Sequence, residues 1–397
     1  MTMAHSSPLF EQPAPDMARH YKDRKKYLWL LSLFAPLAAP LGPIMYLQTG
    51  NTVWLWVFLA FFYIGLPIFD LIFGEDTQNP PESAVPDLEN RLYYRSITYL
   101  LVPVIAFGFF FNVIFLATNS LHWLHWLAVA ITTGSLLGFG LNLGHELGHK
   151  KRRLDKALAL LTLSLGAYGH FSIEHNRGHH RHVATPEDPA SSKMGDNIYR
   201  FVLSEMPGGF IRAWRLERER LANVGQSAWS LDNEILRCAA LTTLIYAGLI
   251  GAFGWPMVPV LLVVALWGAF QLTSANYIEH YGLLRAKLAD GRYEMCRPQH
   301  SWNSNHLVSN LVVFQLQRHS DHHAHPARSY QSLRDFPELP SLPSGYFGMF
   351  LVAYVPPLWF HIMDRRLIQT VGGDASKINF HPAKRSELLK RYAAMLA

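Results

Sequence analysis

Six apolar stretches, each long enough to cross a hydrocarbon layer about 30 Å thick, govern what this 397-residue chain can fold into. They lie near Tyr27–Leu47, Val53–Phe73, Tyr99–Ala117, Trp123–Leu143, Ile235–Phe253 and Met257–Tyr277. Lipid offers no water to bond a bare backbone, so such segments must satisfy their own amides as helices. The gaps Gln48–Thr52, Thr118–His122 and Gly254–Pro256 carry no Asp, Glu, Lys or Arg. The opposite ends are basic: Arg24, Lys25 and Lys26 precede the first stretch, Arg91 and Arg95 the third, and Lys150–Arg153 follow the fourth. Cytoplasmic loops collect Lys and Arg, so both termini and all long loops are expected in the cytoplasm. The predicted fold is an all-α integral membrane protein with six transmembrane helices, paired as three hairpins beneath a cytoplasmic helical cap.

Residues 1–26 then form a cytoplasmic N-terminal segment, and 27–284 a membrane domain with a histidine-rich cytoplasmic insertion at about 145–234. Residues 285–397 form the C-terminal cap, helical around His306–His319 and Tyr346–Ile362, with FPELPSLPSGY as a loop. The first 26 residues are polar and lack a small-residue cleavage site, so the first stretch reads as an uncleaved anchor. Pro36, Pro40 and Pro43 predict kinks within it. Leu154–Gly169 is apolar but short and follows four basic residues; it is expected to dip toward the membrane without crossing.

Only 16% of residues are charged, against about 25% in soluble proteins. The net charge of +6 gathers beside apolar segments, which ties it to topology rather than to nucleic acid. Cys238 and Cys296 form no C-x-x-C pair, which excludes a cysteine-ligated zinc or iron–sulfur module and a disulfide framework.

The unusual count is twenty histidines. HELGH holds His145 and His149; EHNRGHHRH holds His175, His179 and His180; NYIEHYG holds His280; QRHSDHHAH holds His319, His322 and His323. All fall on the predicted inner face. Spacings of three and four put histidines on one helical face, near enough to share a metal. Nine imidazoles exceed the four to six ligands of one transition ion, so two metals with about four and five each are expected. Without thiolates, iron, copper and zinc all suit such a site. His5, His20, His122, His125, His361 and His381 read as interfacial or ordinary polar groups, and His170, His182, His300, His306 and His325 as hydrogen-bonding neighbours of the clusters. Glu146 and Glu279 are expected to orient the imidazoles and relay protons; for Glu174 and Asp321 a salt bridge is the equal alternative.

HELGH also matches the zinc-protease pattern H-E-x-x-H. A protease needs those two histidines, one further ligand and Glu146 as base, which leaves six clustered histidines idle. A transporter using histidines as a relay would want polar groups at the midplane, whereas these spans are nearly free of charge, Asp70 being one exception.

GHELGHKK, EHNRGHHRHVATPEDPA, SANYIEHYGLL and LQRHSDHHAHPARSYQSLRDFP together resemble the integral-membrane alkane 1-monooxygenases. The resemblance runs from KKYLWLLS through FGEDTQNPPE to the final basic segment. NYIEHYG followed by HSDHHAHP is more specific than the three histidine boxes, which membrane fatty-acid desaturases, sterol methyl oxidases and carotenoid hydroxylases share. Many desaturases have four residues between the first pair, whereas this chain has three. The resemblance implies a six-span fold in the bacterial inner membrane and a non-haem di-iron centre that uses O2. It implies electrons from NADH through rubredoxin reductase and rubredoxin, and oxidation of the terminal methyl of medium-chain n-alkanes to a primary alcohol. The ligands it implies are His145, His149, His175, His179, His180, His280, His319, His322 and His323. The paired C-x-x-C motifs of a fused rubredoxin are absent, so the donor is expected to be a separate protein or a rubredoxin part lost from this sequence.

Breaking an unactivated methyl C–H bond calls for an oxidant built from O2 on a redox metal. Phe62, Phe110, Phe111 and Leu272 are expected to line an apolar channel, and the resemblance implies a bulky residue gauging chain length in the middle of the second span, which is Phe62. FIRAWRLERERLA offers Arg212, Arg215, Arg218 and Arg220 to an acidic donor, with lipid phosphates as the other partner they suit. An acyl desaturase or a xylene-type aryl-methyl monooxygenase is the neighbouring reading; NYIEHYG occurs in the latter group too.

Overall fold

In the computed structural model, which describes residues 21–396, the first apolar stretch breaks into α1 (Leu28–Leu37) and α2 (Leu41–Thr49), bent by 48°. The cause is proline: Pro36 inside α1 has no amide for the helical ladder, and Pro40 starts α2. Most of the N-terminal segment 1–26, with His5 and His20, lies outside the described residues. α3 (Trp54–Phe73), α4 (Leu92–Thr118) and α5 (Trp123–Gly148) follow, and all three are long and apolar enough to cross a membrane. α6 (Arg153–Leu165), at about 20 Å, is too short to cross and packs against α5. α7 (Ile198–Ala222) is amphipathic; α8 (Glu234–Phe253) and α9 (Met257–His280) are again of spanning length.

The C-terminal part holds two short helices, α10 (Leu307–Val312) and α11 (His319–Ala324), then a sharply bent pair, α12 (Tyr346–Ala353) and α13 (Pro356–Thr370). Among the described residues five helices are thus spanning candidates, and up to seven if each bent pair counts as one span. Two sequence expectations change here. The stretch around His306–His319 is not one helix, because Phe314 and Gln315 adopt φ of +58° and +52° and break it. The stretch Tyr346–Ile362 turns through 118° ahead of Pro356 and Pro357, since proline excludes the helical conformation from the residue before it.

α5 is the axis: 83% of its most apolar window is buried, against 17% for α8. It lies tightly on α9 through glycine. A Cβ on Gly134 would stand 2.6 Å from Trp267 Cβ, one on Gly138 2.9 Å from Gln271 Cβ, and one on Gly268 2.9 Å from Leu137 Cβ. Small residues four apart let two backbones approach closely where apolar burial gives no drive. This contact fixes the C-terminal ends of α5 and α9, which carry His145 and His280, side by side. Gly134→Leu is therefore expected to cost at least about 1–3 kcal/mol by overpacking. Thermal unfolding and metal content of the purified variant should fall together, and unchanged values for both would remove this account of the pairing.

The C-terminal part is latched to the long apolar helices by the one carboxylate of α3. Asp70 is fully buried and accepts hydrogen bonds from the Ser309 backbone N–H (2.9 Å) and the Ser309 hydroxyl on α10. Gly345, just before α12, leaves the space that Asp70 fills.

Candidate metal centre

Four elements deliver the histidines. His145 sits in the last turn of α5 and His149 caps it; His280 ends α9; His319, His322 and His323 come from α11. The fourth source is a π-helical turn, Glu174–His179, leading into His180. A π turn is wider than an α turn, so residues five apart meet. His175 and His180 accordingly bring their Nε2 atoms to 3.0 Å while the His175 and His179 rings stack at 5.2 Å. All three imidazoles of HNRGHH therefore point the same way.

The nine residues meet in one place. His145, His149, His175 and His322 have ligand atoms within 4.8 Å of one another, and so do His179, His280, His319 and His323. His180 lies at the seam, its ring 4.9 Å from that of His149 and 4.6 Å from that of His323. The converging atoms are Nε2 nitrogens: His145 to His322 at 3.0 Å, His280 to His319 at 3.1 Å, His319 to His323 at 2.9 Å. Burial holds His175, His180, His319, His322 and His323 well below the usual imidazole range, so their lone pairs are free. The Nε2 atoms of His149 and His179 are buried without a hydrogen-bond partner. Two all-nitrogen donor sets with uncompensated lone pairs fit two metal ions.

The supporting carboxylates differ from the sequence expectation. Asp188, in TPEDPA, takes the Nδ1 side of His179 at 2.9 Å and leaves its Nε2 facing the second group. Burial would lower His179, but the Asp188 charge and hydrogen bond outweigh it and raise it. Arg212 reaches in from α7, pairing with Asp188 at 2.7 Å and with Glu174. Gly178 is required here because a Cβ would stand 2.6 Å from Arg212 Nε. Asp321 pairs with Arg334 at 3.1 Å and Arg328 at 3.6 Å. Glu146 turns to Lys150 at 2.9 Å and to the Tyr330 N–H rather than to a histidine, so its expected orienting role is corrected. Of the four acids expected there from the sequence, Glu279 reaches the clustered histidines, with an oxygen 3.4 Å from His319 Nε2. Two of the flanking histidines expected to hydrogen-bond the clusters find other partners, His182 at Glu187 and His306, which is buried, at the Ser304 hydroxyl.

An apolar cavity of about 40 Å³ lies one to two turns below the histidines. Phe62 and Leu272 line it with Phe139, Tyr346, Phe347 and Phe350. Asn142, Ala275 and Leu316 line it too, and each precedes a histidine by three to five residues, about 5–8 Å where the chain is helical. Phe62 packs edge-to-face on Phe139 (5.6 Å) and Phe347 (4.8 Å), closing the far end. Phe110 and Phe111 do not line it, and neither does any other residue of α4; they pack against Phe109 and Phe107 of their own helix. The arginine row also changes. Arg212 is buried in the ion-pair network, Arg220 is tied to Glu217 at 2.7 Å, and Arg215 and Arg218 remain exposed.

Helices carrying clustered histidines at their ends define a histidine-box membrane domain, and the fatty acid desaturase family model matches residues 121–351. Over nearly its full length the chain is 51% identical to an alkane 1-monooxygenase of Ectopseudomonas oleovorans, across 382 residues that cover 96% of this chain and 95% of that one. It is 50% identical to alkane 1-monooxygenase 1 of Alcanivorax borkumensis, covering 95% and 94%. The likeness to the xylene/toluene monooxygenase hydroxylase component of Pseudomonas putida is 27% over 57% of this chain and 59% of that one. The chain belongs to the alkane 1-monooxygenase family of oxidoreductases.

Proposed function

We propose that this protein hydroxylates the terminal methyl of medium-chain n-alkanes to primary alcohols, with O2 as co-substrate. Electrons come from rubredoxin, itself reduced by an NADH-dependent rubredoxin reductase. The observation that carries this is two groups of convergent imidazoles set above an apolar cavity, in a chain whose full-length relatives bear the alkane 1-monooxygenase name. His145, His149, His175 and His322 would hold one iron, with His180 joining them through its neighbour His175; His179, His280, His319 and His323 would hold the other. Bound there, two iron ions supply the O2 reduction and oxidising power that an unactivated C–H bond demands.

The chain's own residues do the rest. The cavity walls exclude water and admit an unbranched chain end first. A space of about 40 Å³ is small for an eight-carbon chain, so the Phe62, Phe139 and Phe347 rings must give way as it enters. Glu279 is the carboxylate placed to hold or pass a proton at the histidine face, and Asp188 fixes the orientation of His179. Phe62→Ala is expected to shift product distribution toward longer alkanes by removing the ring that closes the far end. An unchanged profile across a series of alkane lengths would refute that role.

In the membrane, α1 and α2 form one span of about 33 Å despite their bend, whereas the arms α12 and α13, about 12 and 22 Å, fold back without crossing. Six spans put both termini and every clustered histidine on the basic face, the cytoplasmic side of the bacterial inner membrane. The insertion at about 145–234 and the segment 285–397 then cap the inner ends.

The deciding experiment counts iron and zinc in the purified protein, then adds NADH, rubredoxin, its reductase and octane under O2. Two irons with 1-octanol are expected. One zinc and no alcohol would defeat the proposal, and oxidation of xylene or acyl chains but not octane would move the protein to the neighbouring substrate classes.

A further inference from the structure

We propose that a collar of unpaired cations around the exposed edges of His149 and His180 is the docking face for an acidic electron-carrier protein. This rests on the donor-dependent reading above and assigns the donor a place. Of the nine histidines, seven are buried; His149 and His180 are partly exposed, with rings 4.9 Å apart. Electron transfer weakens steeply with distance, so a carrier is most effective where an imidazole of the centre reaches the surface.

That surface is strongly basic. Lys151, Arg152, Arg153 and Lys156 are exposed beside His149, and Arg181 is exposed beside His180. None of the five pairs with a carboxylate among the described residues. Two clefts, of about 260 and 360 Å³, open on either side of the turn after α5, and His149, Lys150 and Lys151 line both. Of the acids in their walls, Glu146 is paired by Lys150 at 2.9 Å and Glu234 by Arg177 at 3.2 Å, while Asp155 and Glu89, which accept from the Tyr99 hydroxyl and the Ser329 N–H, keep their charge but are outnumbered by the unpaired cations. The field over the exposed imidazoles is thus positive, which steers an acidic partner and makes its association sensitive to salt.

The arginine row of α7 is a poorer face for this partner. Its two exposed members, Arg215 and Arg218, stand on a helix that also exposes Leu203, Phe210 and Ile211, and none of the nine histidines belongs to that helix. Such a face suits a lipid surface better than a protein charge patch.

The test titrates the full-length, iron-loaded protein in nanodiscs with oxidised rubredoxin at low and physiological ionic strength. Lys151→Glu/Lys156→Glu is expected to weaken binding at least ~10-fold and to remove most of its salt dependence, with iron content unchanged. Lys151→Gln/Lys156→Gln should lose about threefold, and this pair decides if the reversed variant fails to fold. Arg215→Glu/Arg218→Glu should bind rubredoxin as the parent does. Rubredoxin binding untouched in the collar variants but weakened in the α7 variant overturns the collar alone. Collar variants that lose affinity for anionic vesicles while keeping it for rubredoxin also overturn it, in favour of lipid. A parent protein that binds no rubredoxin overturns the collar together with the donor assignment.

Discussion

His280→Ala is expected to abolish alkane hydroxylation, by well over the ~100-fold upper range seen when only an orienting partner is lost. It should also lower bound iron from about two to about one per chain, because four imidazoles near a metal become three. His280 is the lone histidine of its sequence segment, so ordinary burial at a helix end would be the bland account of it. The geometry argues otherwise. It is fully buried at the end of α9, its Nε2 lies 3.1 Å from that of His319, and its ring lies 4.8 Å from that of His179. His122, which caps the start of α5 by accepting from the Leu124 N–H, provides the contrast. His122→Ala should cost about 0.5–2 kcal/mol of stability and leave iron content and turnover alone. Iron counting and octanol formation on both variants decide the matter. Full iron and full turnover in His280→Ala would remove it from the centre.

The long apolar helices and the clustering of the histidines were legible in the sequence because both signals are local. An apolar run reports its own length, and an i,i+4 pair reports its own face, as His145 and His149 do. The six-residue spread of His175, His179 and His180 was legible as a cluster, but not the π turn that makes all three converge. What stayed hidden is contact between segments far apart in the chain. Nothing next to Asp188 says that it meets His179, although its place in TPEDPA just after HHRH was a usable signal. The pairing of α5 with α9 was written in the four-residue spacing of Gly134 and Gly138, a pattern that reads as packing only once a partner helix is known. Glu146 and Glu279 each adjoin a clustered histidine in sequence, yet adjacent helical residues point some 100° apart, so adjacency carries no contact. Lys150, one turn beyond Glu146, draws that carboxylate away instead. Phe110 and Phe111 fell outside the cavity for the related reason that a row of aromatics does not say which helix borders it, and α4 contributes no lining residue.

Arg212 shows how far composition alone misleads, and its replacement gives the second large effect. On α7 it reads as one of four surface arginines, but it is buried between Glu174 and Asp188. Burial opposes its charge, and the two carboxylates outweigh that and hold the guanidinium above its ordinary range. Arg212→Met fills much of the same volume without charge. It leaves two carboxylates facing each other away from water, which typically costs about 3–5 kcal/mol. Burial already raises Glu174, so it is the carboxylate that takes up a proton once the arginine is gone. Asp188 keeps His179 as a partner but loses its anchor, and turnover should fall 10–100-fold as that imidazole loosens. Adding Glu174→Gln removes the surplus negative charge in advance and should recover part of the lost stability. An arginine that served only the donor would behave in the opposite way, raising the donor KM while leaving thermal unfolding untouched. Thermal unfolding and donor titration on Arg212→Met, with and without Glu174→Gln, separate the two, and an unchanged melting temperature in the single variant would return Arg212 to the surface row.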